Sequence, residues 1–249
     1  MSLLTKCLVA SAALVIVAYL AVIALLYFNQ NKFIYYPTGR SSEVPSFVMH
    51  RDDANIVVST DSIQGTQAIL YFGGNAEDVS QSVRQLSSAF PGKAIYAMHY
   101  RSYGGSTGSP SERALISDGL ALYDAIATHH PNITLVGRSL GSGIAIQIAA
   151  KKPAEKLILV TPYNSILELA QSQFKLFPVQ WILRDTFESW RYAPKIRVPT
   201  TLYVASHDQV IPNQSSYALA RAFPPGIARV VTLQNTDHNS ISASPDYLK

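Results

Sequence analysis

The stretch that most constrains this chain runs from Asn132 to Ala150. Ile133 to Val136 is a short apolar, β-branched run that reads as a buried strand. It meets Gly137-Arg-Ser139-Leu-Gly141, a G-x-S-x-G, and leaves as a helix rich in alanine and isoleucine. A chain that turns from strand to helix this sharply forces its central residue into a strained backbone. The glycines on either side let strand and helix approach. The Ser139 hydroxyl is then exposed at the carboxyl edge of a sheet, over a helix N-terminus whose amides favour negative charge. The alternative at this point is a plain glycine-rich turn between two elements.

A serine hydroxyl is a weak nucleophile at neutral pH and needs a base, with an acid to orient that base. Both follow in the chain. Thr200 to Ser206 reads as a buried strand, with Asp208 just past its end. Arg229 to Leu233 reads as a further strand, followed by the loop that carries His238. Both candidates therefore fall at carboxyl ends of strands, where open α/β sheets hold their ligands. Two other acids compete with Asp208. Asp185 lies in a helical region instead of at a strand end, and Asp237 is the sequence neighbour of His238, which points its side chain elsewhere. His99 reads as a hydrogen-bonded loop residue.

A buried strand, Gln67 to Phe72, runs straight into Gly73-Gly-Asn75-Ala. Glycines here let the backbone turn its amides towards Ser139. The Asn75 amide is the expected second oxyanion donor, beside the Leu140 amide that follows the serine. Lys93 to Met98 is another strand. The loop after it has no G-x-G-x-x-G, which argues against a nucleotide site; Arg101 and Tyr103 are placed either on the pocket wall or in a structural loop. Ser109-Pro-Ser-Glu caps a helix reaching about Thr128. Lys156 to Val160 is a strand, and Asn213 to Phe223 a helix with Asn213 as its N-cap. From Asn29 to Gly65 the chain is polar and broken, and within it strands around Phe47–His50 and Asn55–Thr60 follow a linker and open the sheet as an antiparallel pair. Residues past Ser240 start a final helix. Strand–helix alternation from Ala68 to Leu233 predicts one doubly wound α/β domain.

Leu8 to Phe28 carries no charge, and its length is about what a helix needs to cross a bilayer. The run is longer than a signal-peptide core and has no small-x-small cleavage site after it. Outside a membrane, few helices are apolar on every face. The expected organisation is an uncleaved anchor over residues 1–29, a catalytic domain over 30–249, and a lid-like segment at about 163–197. That segment carries Phe174, Phe177, Trp181, Phe187, Trp190 and Tyr192. It reads as an acyl-pocket wall, a membrane-resting surface, or an ordinary helical pair on the sheet. Lys6 before the span and Lys32 and Arg40 after it leave the orientation open. The single cysteine, Cys7, excludes an intramolecular disulfide. A net charge of +4, with no arginine-rich arm, argues against nucleic acid as a partner.

Asn31-Lys-Phe-Ile-Tyr-Tyr-Pro37 after the span, Gly73-Gly-Asn-Ala, Tyr100-Arg-Ser-Tyr-Gly-Gly-Ser-Thr-Gly, Gly137-Arg-Ser-Leu-Gly, Thr161-Pro-Tyr-Asn-Ser and Asp208-Gln-Val-Ile-Pro together resemble the Bem46-like branch of the α/β-hydrolase superfamily. The likeness runs from about Asn31 to Ser240. It implies the α/β-hydrolase fold, a mostly parallel sheet with helices on both faces. It also implies a serine hydrolase with the triad Ser139, Asp208 and His238 and without a metal or organic cofactor. Family members include membrane-associated acyl-protein thioesterases, so the substrate stays open. Phe72-Gly-Gly departs from the His-Gly common in the family, and the segment after His238 is short.

The expected function is therefore a single-pass, membrane-anchored serine hydrolase of esters or thioesters with small-molecule or lipid-like acyl substrates. An amidase or peptidase using the same three residues is the alternative within hydrolases. A non-catalytic, membrane-tethered binding module using the same cleft is the alternative outside them.

Overall fold

The structure is a computed structural model that describes residues 2–41, 43–61 and 65–249. Ser42 and residues 62–64, part of the segment read as broken and polar, lie outside the described residues, as does Met1 at the start of the expected anchor.

The apolar runs pair into one eight-stranded sheet in the order β1-β2-β4-β3-β5-β6-β7-β8. β1 (Ser46–Arg51) and β2 (Ala54–Thr60) form the antiparallel edge, and β2 also pairs antiparallel with β4 (Ala94–Met98). From β4 onward every pairing is parallel, through β3 (Gln67–Phe72), β5 (Asn132–Arg138), β6 (Lys156–Val160), β7 (Thr200–Ala205) and β8 (Ala228–Leu233). Central parallel strands are covered on both faces, so they read as continuous apolar runs while their side chains still alternate. Ala68, Leu70 and Phe72 face one core, and Ile69 and Tyr71 face the other. The first core takes in α3 (Glu112–Ala127) and α4 (Leu140–Ala149), the second α2 (Val79–Ala89). Burying one such Leu or Ile contributes about 2 kcal/mol.

Capping follows the expected chemistry at α3, where the Ser111 side chain accepts from the Ala114 amide at 3.2 Å. It departs from expectation at α7 (Asn213–Ala222), whose cap position is Pro212. Asn213 is the first helical residue there, and its side-chain amide instead donates to the Ser206 carbonyl at 3.3 Å. The expected C-terminal helix is a 3₁₀ turn, Ser240–Ala243, because the chain leaves it in extended backbone at Ser244 ahead of Pro245. The lid-like segment holds α5 (Ile166–Gln173) and the single-turn α6 (Val179–Ile182).

The N-terminal helix α1 runs Leu3–Ile34, past the expected end near Asn29. At 32 residues it is about 48 Å long, more than the ~30 Å hydrocarbon layer. The reason for the extension is tertiary contact. Gln30 donates to the Ile182 carbonyl at 3.1 Å and accepts from the Arg184 amide at 2.7 Å, so the polar last turns are pinned to the segment after α6. Among the described residues α1 is the one helix long and apolar enough to cross a membrane.

Candidate active site

Ser139 sits between β5 and α4 with φ 49° and ψ −117°, a left-handed conformation a side-chain-bearing residue adopts only under constraint. Its amide donates to the Val160 carbonyl at 2.8 Å, and its carbonyl accepts from the Ser142 amide and hydroxyl at 2.9 and 2.6 Å. The flanking glycines are sterically required. A Cβ on Gly137 would collide with the Gly141 carbonyl, and one on Gly141 with the Phe72 carbonyl. The Gly141 amide donates to the Gly73 carbonyl at 3.1 Å, and the Tyr100 hydroxyl donates to that same oxygen at 2.6 Å.

The structure brings Ser139, Asp208 and His238 together. His238 Nε2 is 2.9 Å from Ser139 Oγ, and His238 Nδ1 is 2.8 Å from Asp208 Oδ2. With Nδ1 donating to the carboxylate, Nε2 is left to accept the serine proton. Asp208 is itself held by the amides of Val210 and Ile211, which donate to its Oδ1 at 2.9 and 2.8 Å. The competing acids are elsewhere. Asp185 accepts a hydrogen bond from the buried Tyr35 hydroxyl at 2.7 Å. Asp237 caps its own loop by accepting from the Asn239 and Ser240 amides.

Asn75 and Leu140 both border the cavity that opens on Ser139. Among the described residues neither backbone amide is engaged by another group of the protein. A Cβ on Gly74 would lie 3.5 Å from that of Ser139, which shows how closely this loop approaches the serine. Three supports of the loop were not legible in the sequence. Glu77 accepts from the Gly74 amide at 2.6 Å, Tyr103 donates to Asn75 Oδ1 at 2.7 Å, and Asn75 Nδ2 donates to the Ile34 carbonyl at 2.7 Å. Glu77 also pairs with Arg138 at 3.4 Å, and Arg138 donates to the His238 carbonyl at 3.3 Å. The only sequence signal was an acid three residues after Gly74.

Arg101 and Tyr103, considered for the pocket wall, do not border the cavities at Ser139. Arg101 is locked by Asp118 and Asp53 at 2.8 and 2.6 Å and faces a different depression. His99 is buried with Nε2 2.9 Å from Ser59 Oγ, and burial pushes its pKa down to about 4. Among the described residues no group of three or more His, Cys, Asp or Glu side chains is arranged to hold a metal ion.

Ser139 lies between two cavities of opposite character. One, of about 300 Å³, is apolar and bordered by Leu26, Phe33, Leu140, Leu169, Phe174 and Ile211. The other, of about 610 Å³, is polar and bordered by Arg40, Asp78, Gln81, Arg138, His238 and Asn239.

No family model matches the chain. An uncharacterized protein of Mycobacterium tuberculosis is 26% identical over 91% of this chain and 88% of its own length. Protein bem46 of Schizosaccharomyces pombe is 27% identical over 82% of this chain and 76% of its own. The lysophosphatidylserine lipase ABHD12 of Danio rerio is 32% identical over 59% of this chain and 44% of its own. Among solved structures, Est1E of Butyrivibrio proteoclasticus with bound ferulic acid has a TM-score of 0.64 at 16% identity, covering 81% of this chain and 93% of that one. The esterase Pf2001 of Pyrococcus furiosus has the same TM-score at 15% identity, covering 85% and 94%. These structures share the α/β-hydrolase fold.

Proposed function

Starting from an α/β-hydrolase of the Bem46-like branch, we propose a membrane-anchored serine hydrolase that cleaves carboxylic esters or thioesters through an acyl-enzyme. The observation that carries this reading is the hydrogen-bonded row Ser139, His238, Asp208. Ser139 Oγ attacks the acyl carbonyl carbon as His238 Nε2 takes the hydroxyl proton. Asp208 fixes the imidazole tautomer and stabilises the imidazolium. The tetrahedral oxyanion receives the Leu140 and Asn75 amides, each well-aimed donor contributing roughly 3–4 kcal/mol. Collapse breaks the bond to the alcohol or thiol, which leaves with the proton from His238. Water then attacks the acyl-enzyme, His238 accepts its proton, and the acid departs with Ser139 regenerated.

The two cavities support an amphiphilic substrate, with the acyl chain in the apolar one and the leaving group in the polar one. The names of ABHD12 and of the Pyrococcus esterase support ester cleavage. In this reading residues 1–29 anchor the protein in the membrane as a single pass, residues 30–249 form the catalytic domain, and 163–197 act as a lid.

The test is fluorophosphonate labelling of the full chain, wild type against Ser139→Ala, read by intact mass. Stoichiometric labelling of the wild type alone is expected. A folded wild type that takes up no label would overturn the reading.

A further inference from the structure

Tyr19 lies within the apolar run of α1, nine residues before Phe28 and about 14 Å from it along the axis. Its ring stacks on Phe177 with centroids 5.7 Å apart and planes 8° apart. Its hydroxyl donates to the Leu176 carbonyl at 2.8 Å. The hairpin between α5 and α6 therefore lies against a part of α1 that belongs at hydrocarbon depth in any spanning arrangement. This hairpin is dressed for that depth. Leu176 and Trp181 are 82% and 79% exposed, and Phe174 is 39% exposed. A cluster of large apolar side chains left in water marks a contact surface. Of residues 174–181 only Lys175 is charged, and its aliphatic stem can carry the ammonium back to the headgroups. Gln171 Nε2 donates to Gln180 Oε1 at 3.0 Å. Further along α1, Arg184 lies 4.2 Å over the Tyr27 ring, the pairing of cation and aromatic found at a membrane interface.

The apolar cavity runs between these same elements. Leu26, Phe33 and Ile34 of α1 form one wall, Leu169, Phe174 and Ile182 form the other, and Ser139 borders the same cavity. The anchor is thus a wall of the site as well as a tether.

We propose that the α5–α6 hairpin inserts into the membrane beside α1, and that the cavity between them takes the acyl chain of a lipid ester directly from the bilayer. This rests on the anchored-hydrolase reading above and names its substrate as an acyl chain already seated in a membrane. An apolar chain then reaches Ser139 without passing through water, and its polar leaving group stays on the Arg40 and Asp78 side.

Two measurements on the full chain in phosphatidylcholine vesicles test it. Trp190→Phe leaves Trp181 as the sole tryptophan of the two. Its emission should lose half or more of its intensity when the lipids carry bromine on their acyl chains, and should resist aqueous iodide. Quenching by iodide with no effect of bromolipid would overturn the insertion. The second measurement compares labelling rates for hexadecyl and ethyl fluorophosphonates. Leu26→Trp should lower the long-to-short ratio about tenfold, and an unchanged ratio would overturn α1 as a wall. The ethyl probe on wild type reports the serine independently, so failure of the portal is distinguished from failure of the hydrolase.

Discussion

Asn75 is tied to the end of α1: its Nδ2 donates to the Ile34 carbonyl at 2.7 Å. The same side chain's oxygen accepts from the Tyr103 hydroxyl at 2.7 Å and the Tyr36 amide at 2.9 Å. The residue proposed to offer its backbone amide to the oxyanion is therefore positioned by the segment that leaves α1. Asn75→Ala keeps the amide and removes these ties. Because misplacement of about 1 Å can cost 10²-fold, kcat/KM should fall about 10–100-fold. Fluorophosphonate labelling should slow in parallel while the protein stays folded. A variant with wild-type rates would show that the loop holds its shape without them.

Arg138, the last residue of β5 and directly before Ser139, spans two loops. It reaches Glu77, which anchors the Gly74 amide, and the His238 carbonyl. Both partners of the ion pair are largely buried, with side chains 17% and 10% exposed. Removing one partner of such a pair costs about 3 kcal/mol. Arg138→Met should lower the thermal midpoint in detergent and also slow acylation, since it loosens the oxyanion loop and the histidine loop together. Loss of stability with an unchanged acylation rate would confine Arg138 to a structural role.

How much was legible in the sequence depended on the range of the determining contact. β3 and β6 were read with their observed bounds because continuous apolar runs between polar or glycine breaks define buried strands locally. The placement of Ser139, Asp208 and His238 at one sheet edge followed from strand ends that are themselves local. α2 was not read, because only Val79, Val83 and Leu86 mark its buried face in an otherwise polar segment. The final turns of α1 looked like a linker because Asn29, Gln30, Asn31 and Lys32 are polar. Their helicity depends on Ile182 and Arg184, more than a hundred residues away. The supports of Asn75 were hidden for the same reason.

His99 makes stability depend on pH. Its folded pKa is pushed by burial from 6.5 to about 4. Between those values the unfolded chain binds a proton that the native state does not, so stability rises with pH across this window. The contribution is fully present above pH 6.5 and is lost as pH falls towards 4, by up to about 3 kcal/mol. His99→Gln can still meet Ser59 but cannot take up the proton. Thermal midpoints measured from pH 4.5 to 7.5 should slope less steeply in the variant. Parallel slopes would remove His99 as the source.

The assignment of the acid is the sharpest test of the site. Asp208 holds His238 Nδ1 at 2.8 Å, while Asp237 caps its own turn and Asp185 takes the Tyr35 hydroxyl. Asp208→Asn preserves size but presents an amide to the imidazole, which favours the tautomer whose Nε2 carries the proton and cannot accept one from Ser139. The analogous change in serine proteases costs about 10⁴ in kcat, and a loss of that order is expected here with little change in KM. Asp237→Asn touches only a solvent-facing turn and should keep kcat within about threefold, as surface changes generally do. Asp185→Asn should act on stability through Tyr35, with the rate per folded molecule retained. If Asp237→Asn or Asp185→Asn instead produced the large loss in kcat, the orienting acid would have to be reassigned, and with it the direction from which His238 approaches the serine.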